Sequence, residues 1–563
     1  MLAKWITAVA LGLVLIAASV LLSGCGGDGD VWSKSDIVGV DQPSGDSSGG
    51  GSGGGGGGTP STPDTRFSGR WASSYGDDIV NASAATGKNQ YVTRLTLTQS
   101  GTTISGSGRV VRIFSVGGTA YDTEPKTFTV TGTASGDDAT LVFRSGLSGP
   151  FDFEPTWHLR RAGSQIVGMY AAVDAQGEIV RSGVARWYGI VNAALDDSWV
   201  AAFTDSIPGG PPNKRDRTAE LALAVSGQSL NGTGNLLVVR ENDVAQPQGF
   251  NITRSALSLP ELGFSFGGGD LDATPMDWFA VFDGNRILSS YALFGGAQGA
   301  SLVSAGTVTW HRASITGPST ITHAWTAAFE DTSVANPANQ TRSAYLATMS
   351  LQAQSNGMVT GTAQILDESA RQPVYRIYDV TNGSFVGSQA RLDLRDRGNA
   401  SHYEWNLEVT GSALLGTYQF FDVNGRYASR GVAQWTYESI PSQVGTWTAA
   451  YFDTVTASTP QADQFAQVTI SRQSPDGTLT GVGAFLYAGE RSRRLFTVTG
   501  QVTGNTITWT WRGSGIFGDT VWRLRQSSNI LYGTYTNFTS ANTLEALGYA
   551  VWSKTSTSNS FTQ

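Results

Sequence analysis

Large apolar residues alternate with small or polar ones along the C-terminal part of the chain, a pattern typical of short β-strands. Gly548, Ala550 and Trp552 share one face of an extended segment, whereas Tyr549 and Val551 share the other, because successive side chains of a strand point to opposite faces. With intervening turn residues, the pattern predicts eight strands, at about 445–453, 465–473, 479–488, 492–503, 505–514, 520–527, 530–538 and 545–554.

A set of three aromatic residues, Trp, Tyr and Trp at nearly constant spacing, recurs four times along the sequence, and we call it the aromatic frame. Its copies are Trp157, Tyr170, Trp187; Trp278, Tyr291, Trp310; Trp405, Tyr418, Trp435; and Trp522, Tyr535, Trp552. A second signature, Trp, then an aromatic residue, then Asp, opens each repeat: Trp71, Tyr75, Asp77; Trp199, Phe203, Asp205; Trp325, Phe329, Asp331; and Trp447, Tyr451, Asp453. The opening Trp residues are 128, 126 and 122 positions apart, so the repeated unit is a whole domain.

The fold class predicted from these repeats is all-β: four tandem eight-stranded antiparallel up-and-down barrels after a disordered tether. The predicted barrels span 67–190, 198–311, 324–437 and 445–554. Connections after even-numbered strands are short and the others are longer, which predicts one tight end and one open, loop-lined end per barrel. We expect the Trp face to point inward, with Gly481 and Gly483 of the third strand making room for large rings.

Short motifs of the last repeat resemble those of the lipocalin and avidin group of up-and-down barrels. They are Gly445, Thr446 and Trp447 at the barrel start, Leu479, Thr480 and Gly481 on a third strand, and the late Trp and Tyr positions. The resemblance implies a fold and no particular ligand, so biotin binding is not expected from it.

The N-terminus predicts export and lipid anchoring. Residues 1–24 have the charge, apolar run and small-residue end of a signal peptide. Leu22, Ser23, Gly24 and Cys25 resemble the lipobox of bacterial lipoproteins, which implies acylation of Cys25, and Gly26 in the following position implies an outer-membrane destination. Whether the barrels face the periplasm or the cell surface is left open. Residues 25–66 are predicted to form a disordered Gly/Ser/Pro tether behind the lipidated cysteine.

Composition narrows the functional classes. The net charge is −8, which argues against nucleic acid as a partner. Cys25 is the only cysteine, so neither an intramolecular disulfide nor a cysteine-based metal site is possible. The sequence contains no catalytic or cofactor signature, and we expect neither enzymatic activity nor a cofactor.

Six carboxylates are candidates for a ligand site at the open ends. Asp77, Asp205, Asp331 and Asp453 end the first strands, and Asp174 and Asp422 end the seventh strands of repeats one and three. Strands one and seven both flank strand eight, so such carboxylates would lie about 10 Å apart and could share a cation or bind a hydroxylated ligand. The alternative is that each Asp caps a loop through its own backbone.

Two tryptophans stand outside the repeated frame. Trp509 and Trp511 lie on one face of the fifth strand of repeat four and are candidates for binding specific to that barrel, whereas the frame aromatics are expected to pack the cores. The outward strand faces, exemplified by Thr129 and Thr508, are expected to be solvated.

The function that this organisation favours is that of a lipid-anchored envelope or cell-surface binding protein, with an unknown protein or glycan as partner. The alternative is a carrier that holds small apolar ligands inside its barrels.

Overall fold

A computed structural model describes the chain as an all-β protein. The described residues form 36 strands, and no helix occurs among them. These residues are 65–80, 87–114, 125–145, 151, 153–205, 207–208, 215–240, 243–244, 247–267, 276–295, 301–313, 321–335, 342–368, 374–411, 413–438, 442–456, 462–490, 492–513, 519–539 and 543–556. Cys25, the predicted signal peptide and nearly all of the predicted tether lie outside the described residues.

The long strands of the first two barrels share one order, with a two-residue strand after the first long strand, and barrel 2 has one further two-residue strand. Barrel 1 contains β1 (Gly69–Gly76), β2 (Ile79–Val80), β3 (Gln90–Ser100), β4 (Thr103–Ile113), β5 (Lys126–Ser135), β6 (Asp138–Arg144), β7 (Thr156–Ala162), β8 (Gln165–Val173) and β9 (Ile179–Gly189). Barrel 2 contains β10 (Asp197–Thr204), β11 (Ile207–Pro208), β12 (Asp216–Ser226), β13 (Ser229–Arg240), β14 (Asp243–Val244), β15 (Gln248–Ser258), β16 (Glu261–Gly267), β17 (Met276–Phe282), β18 (Arg286–Gly295) and β19 (Ser301–Arg312).

The last two barrels repeat this order, except that the first strand of barrel 3 is continuous. Barrel 3 contains β20 (Ala324–Val334), β21 (Ala344–Ala353), β22 (Val359–Asp367), β23 (Val374–Val386), β24 (Gln389–Asp396), β25 (His402–Val409), β26 (Ala413–Phe421) and β27 (Tyr427–Tyr437). Barrel 4 contains β28 (Gly445–Phe452), β29 (Val455–Thr456), β30 (Asp463–Gln473), β31 (Thr478–Tyr487), β32 (Arg494–Thr503), β33 (Thr506–Arg512), β34 (Thr520–Ser527), β35 (Ile530–Phe538) and β36 (Leu544–Ser556).

Each set of strands closes on itself, which confirms the predicted fold class. Long strands adjacent in sequence pair antiparallel, and the first pairs with the last, for example through Trp71 with Gly189 and Trp325 with Tyr437. In the last repeat, the eight long strands begin and end within two residues of their predicted limits. Barrel closure leaves each long strand with a hydrogen-bonded neighbour on both sides.

The barrel interiors are filled by the aromatic frame. Its two Trp rings meet edge to face in every barrel, with centroids 5.0 to 5.4 Å apart, a favourable geometry for aromatic pairs. At the tight end, the indole N–H of the opening Trp donates to the carbonyl oxygen four residues earlier. These bonds are Trp71 to Phe67, Trp199 to Leu195, Trp325 to Ile321 and Trp447 to Gln443.

Glycines on inward faces make room for these rings, as predicted. A Cβ on Gly483 would lie 2.3 Å from the Phe496 ring, and one on Gly548 would lie 2.8 Å from the Tyr535 ring. Both distances are below van der Waals contact, so a side chain at either glycine would clash with the ring, and the glycines are needed for the large rings to fit.

The four barrels contact one another in a closed ring. Barrel 1 packs on barrel 2 through a cluster that includes Ala72 and Leu288, and barrel 2 packs on barrel 3 through Val200 and Leu415. The ring is completed between barrels 3 and 4 and between barrels 4 and 1, by clusters that contain Leu346, Tyr532, Met169, Phe465 and Leu486.

The ring corrects one expectation about the outward faces. Thr129 is exposed as expected, but other outward positions, among them Met169 and Val200, are fully buried. They are buried because the outer wall of one barrel lies against that of the next. The outer surface therefore has two parts, a solvated wall and an apolar interface between barrels.

Candidate functional site

A buried cluster of one Asp and one Tyr recurs at the open end of every barrel. Asp77, Asp205, Asp331 and Asp453 are at most 4% exposed. In each barrel the carboxylate accepts a hydrogen bond from the frame Tyr of the seventh long strand: Tyr170, Tyr291, Tyr418 and Tyr535 respectively. We call these four arrangements the Asp–Tyr clusters.

Each Asp also closes the loop that follows the first strand. In barrel 1, the Asp77 N–H donates to the Asn89 carbonyl oxygen at 3.0 Å, and the Asn89 N–H donates to Asp77 Oδ2 at 2.8 Å. The same reciprocal pair joins Asp205 to Arg215, Asp331 to Ser343 and Asp453 to Ala462. The carboxylate thus fixes both ends of a loop whose middle lies outside the described residues.

The clusters of barrels 1 and 2 contain an arginine. Arg181 of β9 pairs with Asp77, and Arg217 of β12 pairs with Asp205. Both guanidinium groups are buried, 4% and 1% exposed. Ser304 adds a hydrogen bond of 2.6 Å to the Asp205 carboxylate. In barrel 1 burial raises the pKa of Asp77, and the charge of Arg181 and the hydrogen bonds counter this effect only in part.

In barrels 3 and 4 the bonds to the carboxylate come from neutral groups. Asp331 accepts from the hydroxyl of Tyr418 at 2.9 Å and from that of Tyr345 at 3.1 Å. Asp453 accepts from Gln464 Nε2 at 2.7 Å and from Tyr535. Burial raises the pKa of Asp331 to about 7 and that of Asp453 to about 6, against the opposing effect of these hydrogen bonds. Burial also raises the pKa of the partner tyrosines, which keeps their hydroxyls protonated as donors.

Asp174 and Asp422 occupy a different environment. Asp174 accepts from the backbone N–H groups of Gln176 and Glu178, and Asp422 does the same within its own turn. Both are therefore turn-capping residues, as the alternative interpretation proposed. Although each neighbours an Asp–Tyr cluster along the strand order, its hydrogen bonds remain local.

Trp509 and Trp511 belong to the core of barrel 4. They are at most 2% exposed, and Trp511 stacks on Phe496 with ring centroids 4.2 Å apart. Among the residues that the structure describes, neither indole N–H finds a hydrogen-bond partner, and the same holds for Trp522 and Trp552. These rings fill the barrel interior, with edge-to-face contacts to Trp552 at 5.6 and 5.8 Å.

A cavity at the open end of barrel 1 is small. It is lined by aromatic residues, among them Tyr75, Phe151 and Trp157, with Arg181 beside them, and its volume is about 10 Å³. A space of that size holds one water molecule at most. In the part of the chain that the structure describes, no group of three or more His, Cys, Asp or Glu side chains is placed to hold a metal ion.

The sequence missed the link between the recurring Asp and the recurring Tyr. Both appear once per repeat, 82 to 93 residues apart, so their common periodicity was a usable signal. A buried Tyr hydroxyl also requires a partner. Arg181 and Arg217 carried no such signal, because they lie on different strands of their barrels.

Among the described residues, no helix has the length and hydropathy needed to cross a bilayer.

Comparisons with known proteins give distant structural neighbours. No protein-family model matches the chain, and no curated protein matches its sequence. A protein of unknown function from the DUF3598 family of Nostoc punctiforme PCC 73102 is similar over 42% of this chain and 99% of its own, with 10% identity and a TM-score of 0.17. A mutant of Transferrin Binding Protein B from Haemophilus parasuis Hp5 is similar over 70% of this chain and 83% of its own, with 11% identity and a TM-score of 0.19. The intact Ap-TbpB, with N and C lobes, covers 72% of this chain and 87% of its own, with 9% identity and a TM-score of 0.19.

Proposed function

We propose that this chain is a non-enzymatic, lipid-anchored envelope protein that binds a macromolecular partner, a protein or a glycan, through the loops at the open ends of its barrels. Each barrel acts as a rigid scaffold for its own loops. The Asp–Tyr clusters act beneath the binding surface, as anchors of the loops.

The proposal rests on one observation. The reciprocal pair of hydrogen bonds between the Asp and the far end of its loop, which we call the clamp, is the same in all four barrels, whereas the loops themselves differ in sequence. The loop after the first strand returns to the same pair of hydrogen bonds on Asp77, Asp205, Asp331 and Asp453, over sequence separations of 12, 10, 12 and 9 residues. The loop sequences differ strongly, from Pro-rich in repeat two to Thr- and Ser-containing in repeat four. Variable loops on a rigid, repeated scaffold are where proteins commonly place specificity.

The filled interiors argue against the carrier alternative. Ligand pockets for small molecules usually enclose about 300 Å³ or more, whereas the cavity at the open end of barrel 1 has about 10 Å³. The positions where a lipocalin-like ligand would sit are occupied by Trp rings with 0 to 2% exposure, such as Trp157, Trp435 and Trp511.

A loop exchange tests the proposal. Replacing residues 457–461, which follow β29, with residues 209–214, which follow β11, should transfer repeat-two binding to barrel 4. Binding would be measured by surface plasmon resonance against a panel of immobilised glycans and extracellular proteins. The matched control is Thr508→Ala on the outer wall, which should leave the binding profile unchanged. A profile that follows Thr508 and ignores the exchange would contradict the proposal.

The anchor is tested separately. Cys25→Ala should release the protein from the membrane fraction into the soluble fraction, because Cys25 is the only acylation site that the lipobox resemblance supplies. Incorporation of labelled fatty acid into the variant would contradict the assignment. Loss of anchoring should leave loop binding in solution unchanged.

A further inference from the structure

The interface between barrels 2 and 3 contains two carboxylates that face each other. Glu220 of β12 and Glu408 of β25 are bridged by one hydroxyl: Ser388 Oγ lies 3.0 Å from Glu220 Oε1 and 3.1 Å from Glu408 Oε2. Glu408 is 4% exposed. Both acids therefore approach one donor from opposite sides of the interface.

The surroundings of this pair do not neutralise it. Within the described part of the chain, no ion pair joins Glu220 or Glu408 to a basic side chain. Gln389 bonds Glu408 as a neutral donor, and Arg391 lines the cavity of about 20 Å³ beside it. Burial, and secondly the charge of Glu220, raise the pKa of Glu408 to about 8.

A second acid pair lies in the interface between barrels 1 and 4. Asp463 of β30 is fully buried and bonds Asp78 of barrel 1. Ser182 Oγ donates to Asp463 Oδ2 at 2.5 Å, and the Val184 N–H donates to Asp78 Oδ2 at 3.3 Å. Burial raises the pKa of both carboxyl groups. The charge of Asp78 and its hydrogen bond further raise the pKa of Asp463, whereas the hydrogen bond with Asp463 lowers that of Asp78, and Lys88 lowers both.

Acids that face bases provide a contrast: between barrels 2 and 3, Asp216 pairs with Arg430 at 2.6 Å, and two such pairs join barrels 3 and 4. There Glu368 pairs with Arg523 at 2.8 Å, and Glu438 pairs with Arg525 at 2.9 Å. These acids face bases across the interface, so ionisation strengthens their contact. Between two acids, ionisation of both members produces repulsion in a medium of low polarity.

We propose that the ring of barrels is a proton-sensitive assembly: it is closed while the pairs Glu220–Glu408 and Asp78–Asp463 each hold a proton, and it opens at these two interfaces when both members of a pair ionise. A shared proton lets one carboxyl group donate to the other or to the bridging hydroxyl. Loss of that proton leaves two negative charges in a buried interface.

The direction of the pH dependence follows from proton linkage. The docked state binds the proton tightly, because burial and the charge of Glu220 across the interface raise the pKa of Glu408 from the ordinary 4.5 to about 8, and separation of the barrels removes the charge of Glu220. Docking is therefore strongest below the ordinary carboxyl range, weakens as pH rises, and loses this contribution above about pH 8. Opening would expose the outer walls of barrels 2 and 3 while each barrel stays closed.

Small-angle X-ray scattering of the full-length chain between about pH 6 and about pH 9.5 tests the proposal. The radius of gyration of the wild type should rise across this range, while circular dichroism shows intact strands. The double variant Glu408→Gln and Asp463→Asn should keep the low-pH radius throughout. The matched control, Glu438→Gln, changes an acid that faces Arg525 and should leave the wild-type transition in place.

Two results would overturn the proposal: a constant radius in the wild type, or a double variant that opens at the same pH as the wild type. If the double variant does not fold, Glu220→Gln removes one member of the pair at a less buried position. Hydrogen exchange of β12 and β25 in that variant should then increase with pH, beyond the intrinsic rate, less than in the wild type, because burial still raises the pKa of Glu408 but the charge of Glu220 is gone. An equal increase would overturn the proposal.

Discussion

Barrels 2 and 3 place equivalent aspartates, Asp205 and Asp331, in different electrostatic surroundings. In barrel 2, Asp205 and Arg217 form a buried ion pair that also contacts the Tyr291 hydroxyl. In barrel 3, the bonds that described residues make to Asp331 come from hydroxyl and backbone groups. The backbone clamp on the following loop is the same in both. A repeated structural role can thus be supported either by a full charge or by neutral donors.

The difference lies in how each cluster depends on protonation. In barrel 2, burial lowers the pKa of Arg217, but the electrostatic interactions with Tyr291 and Asp205 raise it above its ordinary value. Neutral donors compensate burial only partly, and the pKa of Asp331 is therefore about 7. The two barrels should respond in opposite ways to the same substitution.

The largest expected effect is on barrel 2. Arg217→Met leaves Asp205 buried without its counter-charge, which should destabilise the barrel by about 3 to 5 kcal/mol. Hydrogen exchange resolved by barrel in the full-length chain measures this loss. Adding Asp205→Asn to Arg217→Met should recover part of it. If Arg217→Met alone were as stable as the wild type, the ion pair would not contribute to the stability of barrel 2.

The next effect is the pH dependence of barrel 3. Its folded state holds the Asp331 proton more tightly than the unfolded state, so its free energy of unfolding should fall as pH rises from about 4 to about 7. Since one pKa unit corresponds to about 1.4 kcal/mol, the fall should amount to a few kcal/mol. Asp331→Asn should remove this part of the pH dependence and stabilise barrel 3 at neutral pH.

The matched control is Asp205→Asn, which leaves Arg217 unpaired and should destabilise barrel 2 at the same pH. Chemical denaturation followed by barrel-resolved hydrogen exchange reports both variants. If the two substitutions change stability in the same direction, the electrostatic distinction between the barrels is wrong.

A smaller effect is expected from the hydroxyl in barrel 4. Tyr535→Phe removes one donor to the buried Asp453 carboxylate and should destabilise the barrel by about 1 to 3 kcal/mol. Tyr418→Phe should be milder, because Asp331 keeps the Tyr345 hydroxyl. Thermal unfolding of the two variants gives the order, and a larger loss in Tyr418→Phe would contradict it.

The smallest effect on stability should come from the loop exchange between repeats two and four. Surface changes away from the clamp usually alter stability by less than about 0.5 kcal/mol, and Asp453 remains in place beneath the new loop. An unfolding midpoint well below that of the wild type would show that the loops are part of the core.

Much of the fold was predictable because its signals are local and repeated. The spacing from Trp522 to Tyr535 to Trp552, together with strand alternation, predicted the barrel and its inward face, and the structure confirms both. The candidate site was only partly predictable. The recurring Asp was recognised, but its partners lie on distant strands: Tyr170 is 93 residues from Asp77, and Arg181 is 104 residues away.

The sequence by itself determined the strands, the repeat and the inward Trp stripe, since these depend on side-chain parity and turn residues within one domain. Only the tertiary structure decided which outward residues are buried and which acids face each other. Glu220 and Glu408 belong to different repeats, as do Val200 and Leu415, and no periodicity relates them. Their proximity results from how four closed surfaces pack, and that packing depends on the whole shape of each barrel.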